Sequence, residues 1–382
     1  PEAARERLTA ALARTPVDAP VAGARWRLAL ADLAEAAGDP KAARAHLAAG
    51  LAGLDGVGGA EAGKVRALLR RDESWLAYRD GDFEAAVALG QAAMAELPAD
   101  AHLEGAGVAN VLGVIHYGKG DDDAAGRYYR RARAGYERAG HGLRIAVVDN
   151  NLGILAMRQG DFDEAADRLK RAVRRLAVAG DRDALARTYN NLGTLYGERG
   201  GFARAARYLQ ESIAFRSKIG HAGLALGLAN LGEVWLKLGR FGEARARLDE
   251  AIALCEAGKG PGYLLPDAWR MRAELHLAQG EPAAGMEAAE RAVGLADQSG
   301  DAPRAGVARR VLGQALAAAG DRLGALDALA AAVDGLEQLD QPVALAQALE
   351  AQAALLEADA PEQAAACRAE AQELYAAVGR AP

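Results

Sequence analysis

Apolar residues return at three- and four-residue spacing along almost the whole chain. In 184–196, Leu185, Tyr189, Leu192 and Tyr196 share one helical face. Past the next turn, Ala205, Tyr208, Leu209, Ser212 and Ile213 do the same. No segment alternates with period two over a useful length, so the pattern predicts helices and no sheet. The paired helices meet at a recurring glycine: Gly38, Gly81, Gly120, Gly160, Gly200, Gly239, Gly280 and Gly320, at spacings of 43, 39, 40, 40, 39, 41 and 40 residues. It supplies the positive φ that ends the first helix, helix A. An Asp or Glu often follows and caps or favours the start of helix B, where Pro40 and Pro282 fit the first turn. A second series, Gly140, Gly180, Gly220, Gly260 and Gly300, marks the other end of each unit. A period of this size means stacked two-helix units.

Three further series fix how the helices meet. Seven before the turn glycine stand Ala31, Ser74, Gly113, Gly153, Gly193, Gly232, Ala273 and Gly313. Five after it stand Ala43, Ala86, Ala125, Ala165, Ala205, Ala244, Gly285 and Ala325; twelve after it stand Gly50, Ala93, Ala132, Ala172, Ser212, Ala251, Ala292 and Ala332. Small side chains at fixed offsets let two helices cross closely.

These three series resemble the tetratricopeptide repeat. The unit, near 40 residues, exceeds the usual ~34, so each helix should carry close to one extra turn. Asn150–Gly153 and Asn190–Gly193 resemble the long-repeat subclass of kinesin light chains and of C-terminal sensor regions in bacterial multidomain ATPases, kinases and transcription activators. The resemblance implies an all-α, right-handed superhelical solenoid of about nine hairpins plus an N-terminal orphan helix. The expected organisation is a single solenoid over 1–382, with helix B of a truncated repeat at 1–14, eight repeats at 21–339 and a degenerate repeat at 340–382. The opening Pro1–Leu8 matches Pro40–Leu47, the start of a helix B, and no initiator methionine is present. The expectation is a piece of a longer protein, whose open N-terminal end permits self-association.

Composition then removes whole classes of function. At 51% hydrophobic the chain is too apolar for disorder, and no apolar run approaches a membrane span. Two cysteines, Cys255 and Cys367, fit a reducing, cytoplasmic compartment. Net charge is −6, against a nucleic-acid binder. Residues 127–218 nevertheless hold 19 Lys/Arg and 10 Asp/Glu, a local +9 carried largely on helices B. That face is either merely solvated or docks an acidic partner.

The six histidines show no four-residue pair, and no Cys pair forms a zinc knuckle. His116 and His276 fall at the core edge, and His141 and His221 in solvent. Asp121-Asp122-Asp123 suits a helix N-terminus. No nucleophile, phosphate loop or cofactor motif stands out, so neither an enzyme nor a cofactor is expected. The resemblance implies instead a concave groove lined by helices A that binds a peptide or protein segment, acidic in character, or another domain of the same full-length chain. Ten before the turn glycine lie Arg71, Asn110, Asn150, Asn190, Arg270 and Arg310. Asn amides can bond a peptide backbone and Arg can clamp a carboxylate. Trp75, Tyr78, Tyr117 and Met157 offer an apolar anchor, and Arg187 completes the candidate groove set. The competing reading makes the asparagines, with Asn151, Asn191 and Asn230, bridges between repeats. At the level of function, the rival is an oligomerisation scaffold with an empty groove.

Overall fold

Each A-to-B turn closes in the same way. In the computed structural model, which describes residues 2–219, 223–339 and 341–377, all eight turn glycines have positive φ. At Gly120 the amide bonds back to Tyr117 O (3.1 Å) and the Asp121 amide to His116 O (2.9 Å), so the last carbonyls of the first helix are satisfied. The acid after the glycine then caps the next helix: Asp39, Asp82, Asp121, Asp161 and Asp321 each accept a backbone N–H three residues on. Gly140, Gly180 and Gly300 also have positive φ, as expected, but Gly260 does not. There the left-handed residue is Gly258, and a short 3₁₀ turn at Gly262–Leu264 leads into the next helix. Gly260 serves close approach instead: a Cβ on it would lie 2.8 Å from Cys255 Sγ and 2.9 Å from Ala225 Cβ. Gly220, His221 and Val378, the expected end of the last helix, lie outside the described residues.

The chain forms two compact units, Pro1–Ala179 and Gly180–Pro382. Unit 1 holds a single helix, α1 (Glu2–Ala13), then four hairpins. These are α2 (Pro20–Ala36) with α3 (Pro40–Ala52), α4 (Ala60–Arg79) with α5 (Phe83–Glu96), α6 (His102–Gly118) with α7 (Asp122–Arg138), and α8 (Gly142–Arg158) with α9 (Phe162–Ala179). Unit 2 holds five: α10 (Arg182–Glu198) with α11 (Phe202–Ile219), α12 (Leu224–Lys237) with α13 (Phe241–Glu256), α14 (Leu265–Ala278) with α15 (Pro282–Gln298), α16 (Ala302–Ala319) with α17 (Arg322–Glu337), and α18 (Pro342–Leu356) with α19 (Pro361–Ala377). No strand occurs among the described residues. The all-α solenoid of paired helices is therefore present in each unit. Within a unit, every substantial helix contact joins helices one or two places apart in the chain.

The small-residue series marks where helix A meets helix B. A Cβ on Gly153, Gly193, Gly232 or Gly313 would lie 2.5–2.8 Å from Cγ of Leu169, Leu209, Leu248 or Leu329, sixteen residues on. Sizes at the two positions compensate. Gly113 faces Tyr129; where helix A offers Ser74, helix B offers Gly90, and Ala273 shares its cluster with Ala289. The volume at the crossing is held down while its division between helices varies, as close packing requires.

Candidate functional site

Successive A helices line a cleft in each unit. In unit 1 a cleft of about 480 Å³ is walled by α2, α4, α6 and the start of α8, and includes Asp32, Arg71, Asp72, Trp75, Leu103, Asn110 and Arg144, with Tyr136 and His141 at one side. In unit 2 a cleft of about 550 Å³ is walled by α12, α14, α16 and α18, and includes Glu233, Lys237, Arg270, Glu274, Arg310, Gln314 and Glu350. Of the residues expected in one groove, Arg71, Trp75 and Asn110 line the unit 1 cleft and Arg270 and Arg310 the unit 2 cleft. Tyr78, Tyr117, Asn150, Met157, Arg187 and Asn190 line neither.

Arg71, Arg270 and Arg310 are already engaged. Arg71 Nε donates to Asp72 Oδ1 at 2.6 Å. Arg270 (3.0 Å) and Arg310 (3.2 Å) both grip Glu274, joining α14 to α16. The unit 2 cleft balances three cations, Lys237, Arg270 and Arg310, against Glu233, Glu274 and Glu350. A carboxylate ligand would therefore compete with carboxylates of the chain itself. Exposed Arg187 pairs with Asp183 (3.3 Å).

The asparagines and aromatics also tie repeats together. Asn151 Nδ2 donates to Asn110 Oδ1 (3.1 Å), and Asn230 Nδ2 to Asn190 Oδ1 (3.2 Å). Asn150 Nδ2 donates to Asn151 Oδ1 (3.4 Å). Asn110 with Asn151 and Asn190 with Asn230 thus bridge neighbouring A helices, while the Asn150–Asn151 bond lies within α8. Trp75 Nε1 donates to Glu35 (2.7 Å), and its ring lies 5.4 Å from that of Tyr78. Tyr78 packs where Gly118 lacks a Cβ, and Arg158 covers Tyr117 at 3.6 Å from the ring centroid. Met157 is half-buried near the end of α8. His116 and His276 sit at the core edge, paired with Asp121 (3.2 Å) and Glu281 (2.6 Å). His141, expected in solvent, is half-buried beside Tyr136, with ring centroids 6.1 Å apart, because it opens α8 against the end of α7.

Two carboxyls of the unit 2 cleft are pushed in opposite directions. Burial pushes Glu233 up; Arg270 opposes this and Glu274 adds to it. Burial pushes Glu274 up too, but Arg270 and Arg310 outweigh it and hold the carboxyl below its ordinary value. A raised folded-state pKa makes the charged form of Glu233 a cost, absent below its unfolded pKa and complete above the folded one. Glu233→Gln should therefore raise the melting temperature at pH 7, and the gain should shrink as pH falls into the ordinary glutamate range. Melting curves across that range check the sign; a gain equally large at both ends would refute the linkage.

Among the described residues, no group of three or more His, Cys, Asp or Glu could hold a metal ion, and no helix is long and apolar enough to cross a membrane.

Helical hairpins stacked so that their first helices line clefts define an α-helical repeat protein. Over residues 144–218 and 224–258 the repeats are tetratricopeptide repeats, as models of that repeat match there. The sequence matches no curated protein. Among solved structures, the chain is similar to a Rap protein complexed with competence and sporulation factor: 13% identity, 95% of this chain and 99% of that one covered, TM-score 0.70. It is similar to the apo form of the quorum sensor NprR from B. thuringiensis: 15% identity, 87% and 92% covered, TM-score 0.64. A signal transduction ATPase with numerous domains and a tetratricopeptide repeat sensor, from Pyrococcus horikoshii, gives 14% identity and a TM-score of 0.63. That match covers 93% of this chain and 52% of the ATPase. At these identities the likeness establishes the fold.

Proposed function

We propose that the chain is a binding module, not a catalyst, and that its A-helix surfaces take up a polypeptide segment. The observation that carries this is the recurrence of a cleft built by successive A helices in both units, each with polar and charged groups converging on it. Buried Arg270 Nε and Arg310 Nε retain donors with no hydrogen-bond acceptor among the described residues, and Trp75 and Leu103 offer apolar surface in unit 1. The relative complexed with competence and sporulation factor supports the same use of this fold. A segment taken up by unit 1 meets Arg71, Trp75 and Asn110, and one taken up by unit 2 meets Arg270 and Arg310. Tyr78, Tyr117, Asn150 and Met157 act beside or beneath the first, and Arg187 and Asn190 beside the second. Because Arg71, Arg270 and Arg310 are neutralised internally, the ligand is of mixed polarity, and its acidity is not what these clefts select.

A random peptide library displayed on phage and selected against the whole chain tests the reading. Losing a buried contact costs ~1–3 kcal/mol, so Trp75→Ala or Arg310→Gln should weaken selected peptides about five- to a hundredfold while melting stays cooperative. Peptides that bind both variants as tightly as the parent would place binding elsewhere.

A second reading rests on α1, none of whose residues is fully buried: a scaffold that self-associates through this helix. Sizing over a concentration series, with Leu8→Glu as the disrupting variant, decides it. A monomer throughout removes this reading and leaves the first untouched.

A further inference from the structure

Arg71, Arg270 and Arg310 are spent on the chain's own carboxylates; part of a second group of cations is not. From Arg127 to Arg138 in α7 and from Arg168 to Arg175 in α9 there are ten cations and one acid, Glu137. Both stretches belong to unit 1, and they form one surface. Arg133 of α7 and Arg175 of α9 reach the two oxygens of Asp149 on α8 at 2.9 and 2.7 Å, and Arg168 stands 3.7 Å away. The acids facing this surface are few and occupied. Glu137 pairs with Arg133 (2.9 Å), Glu164 with Arg168 (2.5 Å), and Asp167 stands 3.9 Å from Arg171. Arg130, Arg131, Arg138 and Arg174 are exposed, and among the described residues none has a carboxylate within the 4.0 Å of an ion pair.

Helix-dipole stabilisation does not account for this. It favours cations only in the last turn, and α5, the preceding B helix, carries no Lys or Arg in its 14 residues. So many like charges on two neighbouring helices repel one another, a cost that a complementary partner relieves. The partner's chemistry follows from the side chains. Arginine forks match carboxylates in a bidentate manner. A single-stranded nucleic acid would need exposed aromatic rings to stack on. Here Tyr129 and Tyr136 are buried, and Tyr128 is stacked on His116 with centroids 5.3 Å apart.

We propose that the exposed face of α7 and α9 docks an acidic polypeptide segment, whose carboxylates are taken by Arg130, Arg131, Arg138 and Arg174. This surface is independent of the A-helix clefts, so either assignment can fail alone.

The test titrates a fluorescent oligoglutamate peptide into the whole chain near physiological ionic strength, where charges more than about 8 Å apart are screened. The patch variant is Arg130→Glu/Arg131→Glu/Arg174→Glu. The control, Arg182→Glu/Arg207→Glu/Arg291→Glu, makes the same change in net charge on exposed arginines of unit 2. The patch variant should bind at least about tenfold more weakly than the parent and the control less than about twofold more weakly. Melting of the patch variant should stay level or rise, since repulsion is relieved. If it melts lower, the neutral set Arg130→Gln/Arg131→Gln/Arg174→Gln makes the same comparison. Equal weakening in both triples, no binding by the parent, or equally tight binding of an oligonucleotide of matching charge would each overturn the proposal.

Discussion

Replacing Asp149 by Ala should destabilise unit 1 by about 3 kcal/mol, the lower end of what breaking a buried ion pair costs. Asp149 is fully buried on α8 and holds Arg133, Arg168 and Arg175 together. Without it, three guanidiniums face one another over a cavity. Their side chains are 30%, 21% and 41% exposed, so each can turn partly to water, which keeps the loss at the lower end. At ~2–4 °C per kcal/mol for a unit of this size, melting should fall by about 10 °C. Salt should stabilise the variant more than the parent, because screening now acts on unbalanced like charges. Thermal melts at two ionic strengths measure both effects. A change within ~0.5 kcal/mol, the range of an ordinary surface substitution, would mean that Asp149 does not hold the three helices.

Gly193→Val should cost about 3 kcal/mol, although valine is the better helix former. The Cβ alone would lie 2.5 Å from Leu209 Cγ and 2.7 Å from Cδ2, and Leu209 is fully buried with no room to retreat. The expense is overpacking. Leu209→Ala should cost ~2–5 kcal/mol by itself through the cavity it opens. Combined, the two should cost less than their sum by more than 1 kcal/mol, because each relieves the other's fault. The chain contains its own precedent in Ser74 opposite Gly90. Additive losses would show that the two positions do not share one volume.

The hairpins were legible because each depends on local chemistry: a glycine that can take positive φ, a capping acid after it, and apolar spacing on either side. Arg71, Trp75 and Asn110 could be assigned to one inner surface because ten and six residues before the turn are fixed angular positions on helix A. Their partners were not legible. Arg310 reaches Glu274 across 36 residues and Asn151 reaches Asn110 across 41, and several charged or amide residues occupy equivalent positions in each repeat. Nothing short of the packing selects among them. Asp149 left a fainter trace. It is an acid between Ile145 and Leu152 on the apolar stripe of α8, with surplus arginines on both adjoining helices. Reading that stripe for charge as well as for size would have found it. Gly260 misled because glycine signals close approach as readily as left-handed backbone.

Contacts that reach no further than two helices along the chain also govern how each unit assembles. Ring closure over long stretches, the slow step for sheet-rich folds, is absent, so the entropy of bringing distant segments together is never charged at once. Any hairpin can serve as a nucleus, with order spreading outward to its neighbours. Chains cut between hairpins should therefore keep the remaining ones folded. In amide exchange, protection should decline in steps toward α1, where each lost hairpin removes one interface, instead of vanishing everywhere together.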